Sequence, residues 1–523
     1  MRNEIFKIRP ESPLCKDLVT LSFDITFTSL PKEPCVDDSF IFPNELFTVN
    51  VGETEKFTPD YIYQSKFVVF KAKDKLNFGG YCPDYNRTCD LLRDKNGNTA
   101  FEPGVRYHIV IKLTRYRVYI DVNDGFATDF YGNGRNAIDE VRFYANKDVR
   151  VKLENVTLKE EDRQYPVKNR TLKRFLDEGL FCNYLSYHTD GYGLYFDRLN
   201  IIQNIKCTTR NSGQYETGVM LDFYSDTGKL KISYTVMDAE IRDYDLKFGL
   251  FVNRKALDGK TRKVNKGDHI TDEFALPPGD KRITLVFPCC HTVAIDKISI
   301  DKDAAVCKVE KKKTIVLLGD SITEGSECLK PEHAYFNKLA LKYDLYSVNM
   351  AVSGRSFNDY NLLGDYSIKP DYVLIANGTN SFCMGTAQKD AAFGELEKTM
   401  ETVIKAAKSY FPKALIIGLL PIWRSDENGP NFTLRETAEK MKEIYQRYKD
   451  IKIIDCYRYI PFDAKYFSNS NLALHPNYQG HAIYGDKLIE DISHILGRPK
   501  KNYDKYYAAK MLDGKKKAGE KTK

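Results

Sequence analysis

At 523 residues the chain is too long for one hydrophobic core, so two to four domains are expected. Hydrophobic residues make up 42% and charged residues 29%, the balance of an ordinary globular protein. The net charge of +7 is concentrated after residue 498, where nine Lys face only Asp504, Asp513 and Glu520, so the body is nearly neutral and nucleic acid is not an expected partner. The start, "MRNEIFKIRPESPLCKDLV", has no apolar h-region, and no stretch reaches 18 apolar residues. A cytoplasmic location without a membrane span is expected, with non-standard secretion left open.

Residues 1–160 are written in short alternating runs. In "RYHIVIKLTRYRVYIDVNDG", Ile109, Ile111 and Leu113 alternate with His108, Val110 and Lys112. Period two with turn residues between runs predicts an antiparallel β-sandwich. The polar stretch 161–170 contains Pro166 and reads as a linker. Residues 171–310 repeat the style in "GVMLDFYSDTGKLKISYTV" and "KRITLVFPCCHTVAIDKISI", which predicts a second sandwich. The twelve cysteines form no zinc-site spacing. Cys290-His291 is an adjacent ligand pair, but it reads as a turn between two strands, so no metal is expected. His188 has no visible partner and is left as structural.

After Lys313 the pattern changes. Five apolar strands, "TIVLLG", "YSVNM", "DYVLIA", "ALIIGLLP" and "IKIIDC", alternate with helices. Phe393, Leu396, Met400, Val403, Ile404, Ala407 and Phe411 recur at helical spacing, and Thr433 with Glu436 forms a capping box before the next helix. Strands apolar on both faces imply a parallel sheet covered by helices on both sides, a three-layer α/β/α domain over 313–497. Ligands of such sheets bind at the carboxyl ends of the strands. Residues 498–523 read as a basic, disordered tail.

The loops at those strand ends carry Gly319-Asp320-Ser321, "AVSGRS" with Gly354, "NGTNS" with Asn380, "PIWRS" with Trp423 and Arg424, and "LHPNYQGH" with His475. Ester hydrolysis needs a nucleophile, a base and donors for an oxyanion. Ser321 fits the first role and His475 the second. The main-chain amides of Ser321 and Gly354 and the side-chain amide of Asn380 fit the third. Asp320 is expected to shape the nucleophile loop and cap the next helix. Trp423, Arg424 and Arg355 flank the site as substrate-binding candidates. Packing under a loop is an equal reading for Trp423, and a solvated surface for the arginines. His481, at the start of the last helix, reads as structural. This chemistry needs no cofactor.

These four blocks, Ser321 in "GDSIT", Gly354, Asn380 and His475, occur in the order of the GDSL, or SGNH, hydrolase family, which the chain resembles over about residues 313–497. A β domain before the hydrolase, together with "PIWR", resembles the family 2 carbohydrate esterases. That resemblance implies a jelly roll over 171–310 and acetylated sugars as substrates. Residues 1–160 resemble concanavalin-type sandwiches and carry a glycan-binding expectation. One position departs from the family, whose Asp three residues before the histidine is here Leu472. Without that acid, a main-chain carbonyl near Trp423 or Ile422 is the first candidate to orient His475, and the Asn471 amide oxygen the second. A distant acid such as Asp455 or Asp463 is the competing view.

The leading expectation is therefore a serine esterase removing short acyl groups, most simply O-acetyl from carbohydrate. A lipid esterase or thioesterase on the same scaffold is the alternative within the class. A catalytically weak glycan-binding protein is the alternative outside it.

Overall fold

The computed structural model describes residues 2–14, 18–31, 45–52, 65–72, 75–81, 89–91, 100–114, 117–123, 125–131, 138–161, 165–189, 191–199, 215–239, 245–257, 259, 261–265, 267–357, 362, 368–382, 385–468, 474–499, 502 and 504–520. They divide into two compact units. The first is an antiparallel sandwich. One sheet runs Arg2–Ile8, Glu140–Asn146, Glu45–Gly52, Ser65–Ala72, Lys75–Tyr81, Cys89–Leu91. The other runs Gly125–Tyr131, Arg117–Val122, Arg106–Thr114, Leu18–Ser29, Arg150–Glu161. The predicted alternation explains the packing: Ile109, Ile111 and Leu113 are buried with Phe23, Phe47, Phe67 and Phe143. These rings meet edge to face, the arrangement their quadrupoles favour.

The second unit joins a jelly-roll-like sandwich to the parallel-sheet domain. In the sandwich, Met220–Ser225, Lys281–Val286 and Gly249–Val252 pair in one sheet, and Leu194–Asp197, His291–Ile300 and Lys229–Ala239 in the other. Phe223, Ile232, Phe248, Ile283 and Ile295 fill the space between them. The parallel sheet runs Leu345–Asn349, Lys313–Gly319, Tyr372–Ala376, Leu415–Leu420, Lys452–Asp455. In chain order this is 2-1-3-4-5, so the direction of winding reverses beside the strand Lys313–Gly319, and a crevice opens at its carboxyl end. Helices Tyr335–Tyr343 and Tyr478–Leu496 pack together, as do Lys389–Tyr410 and Leu434–Gln446, in the outer layers. The Thr433–Glu436 capping box is formed on both sides. Among the described residues, no helix is long and apolar enough to cross a membrane.

The basic tail departs from its expected disorder. Asp504–Glu520 form a helix. Asp504, Ala508 and Leu512 recur every fourth residue and are buried, while Lys505 and Lys510 face solvent. Ala508 and Leu512 pack against Tyr224 and Val309 of the second sandwich. Asp504 accepts from Arg254 Nε at 2.8 Å and from the buried Arg282 at 3.4 Å. Composition alone suggested a solvated end, but one narrow apolar stripe and one aspartate suffice to dock it.

Candidate active site

The strand Lys313–Gly319 ends at Asp320, whose carboxylate caps the short helix Ser321–Glu324 by accepting from the Ile322 N–H at 3.0 Å. Burial pushes the Asp320 carboxyl up to about 6. Only glycine fits at 319, because a Cβ there would lie 2.4 Å from Thr323 Oγ1. This tight turn leaves Ser321 at the carboxyl edge of the sheet. Asp320 also lines a cavity of about 20 Å³ with Thr323, Asn377, Thr379 and Tyr484, room for one water.

His475 approaches from the far end of the domain. Its carbonyl accepts from the Ser468 N–H at 2.9 Å. Two residues on, Asn477 caps the helix Tyr478–Leu496 by accepting from the N–H groups of Gln479 and Gly480. The ring is therefore carried by a chain anchored on both sides. His475 Nε2 lies 2.7 Å from Ser321 Oγ.

The other ring nitrogen faces a carboxylate. His475 Nδ1 lies 3.1 Å from Glu327 Oε1, and both side chains are buried. This corrects the expectation of a main-chain carbonyl near Ile422 or Trp423. Asn471 and Leu472 lie outside the described residues. Glu327 stands in the turn after the helix Ser321–Glu324, at a left-handed φ of 64° that non-glycine residues rarely adopt. Sequence reasoning looked for the acid beside the histidine. The signal it passed over was a pair of glutamates, Glu324 and Glu327, in a loop that begins and ends in buried residues.

Gly354 has φ of 75° and is exposed, and a Cβ there would meet nothing within 4 Å. The left-handed turn, rather than a close approach of protein atoms, is the local reason for glycine. Asn380 donates from Nδ2 to the Arg355 carbonyl at 2.9 Å, and Asn377 to the Ser356 carbonyl at 3.2 Å. The loop after the third strand thus clamps the loop that carries Gly354. Arg355 is partly buried within that loop.

Two substrate-binding candidates are committed elsewhere. Trp423 is 7% exposed, and its Nε1 donates to the carbonyls of Ile460 at 3.0 Å and Pro461 at 3.1 Å. Phe462 and Phe467 pack edge-on against its ring. A sugar cannot stack on a face so covered, so packing is the reading that holds. Arg424 is equally buried and forks onto Asp426, with Nη2 to Oδ2 at 2.7 Å. Its Nη1 donates to the Thr379 carbonyl at 3.2 Å, steadying the residue before Asn380. An arginine already paired with a carboxylate is a poor anion site. His481 is fully buried against Tyr335, 6.0 Å away and nearly parallel, and burial lowers its imidazole to about 3. His188 does have a partner, Asp197, at 3.2 Å. Among the described residues, no three His, Cys, Asp or Glu side chains gather as metal ligands.

The 2-1-3-4-5 parallel sheet and its helices form an α/β domain with Ser321 just after the strand Lys313–Gly319 and within a hydrogen bond of His475. Residues 317–483 match the GDSL-like Lipase/Acylhydrolase family, so the C-terminal part of the chain is a GDSL-like acylhydrolase domain. Among solved structures, a salicylyl-acyltransferase from a tetracycline biosynthetic pathway is similar at 14% identity and a TM-score of 0.51, over 60% of this chain and 94% of that one. A GDSL-like lipase from Bacteroides ovatus is similar at 17% identity and 0.46, over 61% and 96%. A family two carbohydrate esterase from Clostridium thermocellum, in complex with cellohexaose, is similar at 15% and 0.42, over 54% and 94%. No curated protein matches the sequence.

Proposed function

We propose that the protein is a serine esterase that removes short acyl groups, O-acetyl from carbohydrate first among them. The observation that carries this reading is the line of contacts from Ser321 Oγ to His475 Nε2 at 2.7 Å and from His475 Nδ1 to Glu327 at 3.1 Å. In this reading Ser321 Oγ attacks the ester carbonyl while His475 Nε2 takes its proton. Glu327 fixes the ring's orientation and balances the imidazolium charge that forms. The N–H groups of Ser321 and Gly354 and one N–H of Asn380 hold the oxyanion, the other N–H of Asn380 being bonded to Arg355. Collapse of the tetrahedral intermediate expels the alcohol, which takes the proton from His475. Water, deprotonated by the same imidazole, then attacks the acyl-serine and releases the acid.

The sugar assignment rests on the resemblance to family 2 carbohydrate esterases, and the polar sequences "SECLKPEH" and "GRSFNDYN" favour a short acyl group. The weak-catalyst alternative drew its support from Leu472, and a carboxylate at Nδ1 takes that support away. Matched p-nitrophenyl esters test the acyl preference. Acetate should turn over faster than octanoate, and acetylated xylan or an acetylated oligosaccharide should release acetate. Faster octanoate turnover would move the assignment to a lipid esterase. Full activity in Ser321→Ala would remove the esterase site altogether.

A further inference from the structure

We propose that Arg198, a residue of the jelly-roll sandwich, is a positioning residue for the oxyanion loop of the hydrolase domain. The proposal rests on the reading of Gly354 as an oxyanion donor. Arg198 directly follows the strand Leu194–Asp197, and its side chain is fully buried. It crosses into the hydrolase domain. Its Nη1 donates to the carbonyls of Asn349 at 3.0 Å and of Ala351, where the second strand of the parallel sheet gives way to the Gly354 loop. Its Nη2 donates to Glu324 Oε1 at 2.5 Å. Its Nε donates to the Tyr215 carbonyl at 2.6 Å, which ties the same group back to its own sandwich.

Glu324 is the last residue of the helix that Ser321 begins. Its second oxygen, Oε2, accepts from the Ser353 N–H at 3.0 Å and from the Ser353 hydroxyl. Ser353 is the residue before Gly354. One guanidinium therefore fixes, directly or through Glu324, the end of the nucleophile helix and the peptide that leads into the oxyanion loop. A buried carboxylate is costly without a counter-charge, and Arg198 supplies one to Glu324. A guanidinium presents a planar fork that can bridge a carboxylate and two carbonyls, and an ammonium cannot reproduce that geometry. Displacing an oxyanion donor by about 1 Å can cost on the order of 100-fold in rate. The jelly roll thus supplies a working part of the hydrolase site.

The test uses the full chain with p-nitrophenyl acetate. Variants Arg198→Lys and Glu324→Gln are checked for folding by circular dichroism and thermal melting. Each folded variant should lose about tenfold or more in kcat, with KM within about twofold of the parent. The double variant should lose no more than the worse single one, because both changes release the same loop. Where Arg198→Lys fails to fold, Glu324→Gln, of the same shape and uncharged, carries the test alone. Parent-like kcat in the folded variants, or losses that multiply in the double variant, would overturn the proposal. Ser321→Ala is run beside them. An active Ser321→Ala brings down the esterase reading itself, whereas an inactive one with parent-like Arg198→Lys and Glu324→Gln brings down only the role of Arg198.

Discussion

The carboxylate of Glu327 lies 3.1 Å from Nδ1 of His475 although the two residues are 148 positions apart. Glu327 and Ser321 lie in one short stretch of chain, while His475 arrives from the other end of the domain. Glu327→Gln keeps the shape of the contact but removes its charge and gives the imidazole the wrong tautomer to face. Its expected cost is on the order of 10²–10⁴ in kcat for p-nitrophenyl acetate, with the fold intact. Asp455→Asn and Asp463→Asn should each cost less than about tenfold. Asp455 is engaged with Arg435, and Asp463 caps the turn at Lys465. Steady-state kinetics of the three variants decides which carboxylate serves the histidine.

Asn380→Ala should lower kcat by roughly 10²–10³ with little change in KM, as for loss of an oxyanion donor. Asn377→Ala is the control. It loosens the neighbouring clamp on Ser356 but carries no oxyanion role, and its loss should stay below about tenfold. Equal losses in the two variants would assign both residues to holding the loop.

Trp423→Phe should act on stability rather than on substrate. The substitution strips the N–H from the buried Ile460 carbonyl, while the Pro461 carbonyl keeps the Asp463 N–H at 2.7 Å. An unpaired buried acceptor of this kind costs about 1–3 kcal/mol. Denaturant unfolding should show that loss, while KM for an acetylated sugar stays within about twofold. A rise in KM without loss of stability would return the indole to the substrate.

His481→Phe gives a pH-dependent signature. The folded state holds this imidazole neutral down to about 3, against an ordinary value of 6.5. Between those values the unfolded chain binds a proton that the folded chain refuses. Stability is therefore fully present above 6.5 and falls as the pH drops towards 3, by up to about 1.4 kcal/mol per pH unit. Among the described residues neither ring nitrogen has a hydrogen-bond partner, so phenylalanine keeps the packing on Tyr335 without stranding a polar atom. Melting temperatures measured from pH 4 to 7 should vary less in the variant than in the parent.

The sequence carries the fold more openly than the site. Val316, Leu317 and Leu318 are apolar in succession because both faces of a parallel strand are covered, and that run can be read without coordinates. Thr433 and Glu436 announce their helix for an equally local reason. The four motif blocks point to Ser321 and His475, and the fold brings these within one hydrogen bond. Glu327 is different, because its partner is set by the path of a loop and by one left-handed residue, and no spacing encodes that. Trp423 and Arg424 show the converse. A place after a strand says that a residue lies near the carboxyl edge, but not whether its side chain turns out to substrate or in to Phe467 and Asp426. The Asp504–Glu520 helix escapes for want of amphipathic signal, since Ala508 and Leu512 are its buried apolar contacts among many lysines.

That helix also bears on how the molecule is made. A ribosome delivers the chain from its N-terminus, and segments fold as they emerge. Arg282 meets Asp222 from residues already synthesised, then Asp344, and only 222 positions later Asp504. Tyr224 and Val309 likewise wait for Ala508 and Leu512 to cover them. During biosynthesis the sandwich therefore carries an uncovered apolar strip and an incompletely paired buried guanidinium while the entire hydrolase is being translated. Its packing is thus completed only after the domain it precedes has been synthesised.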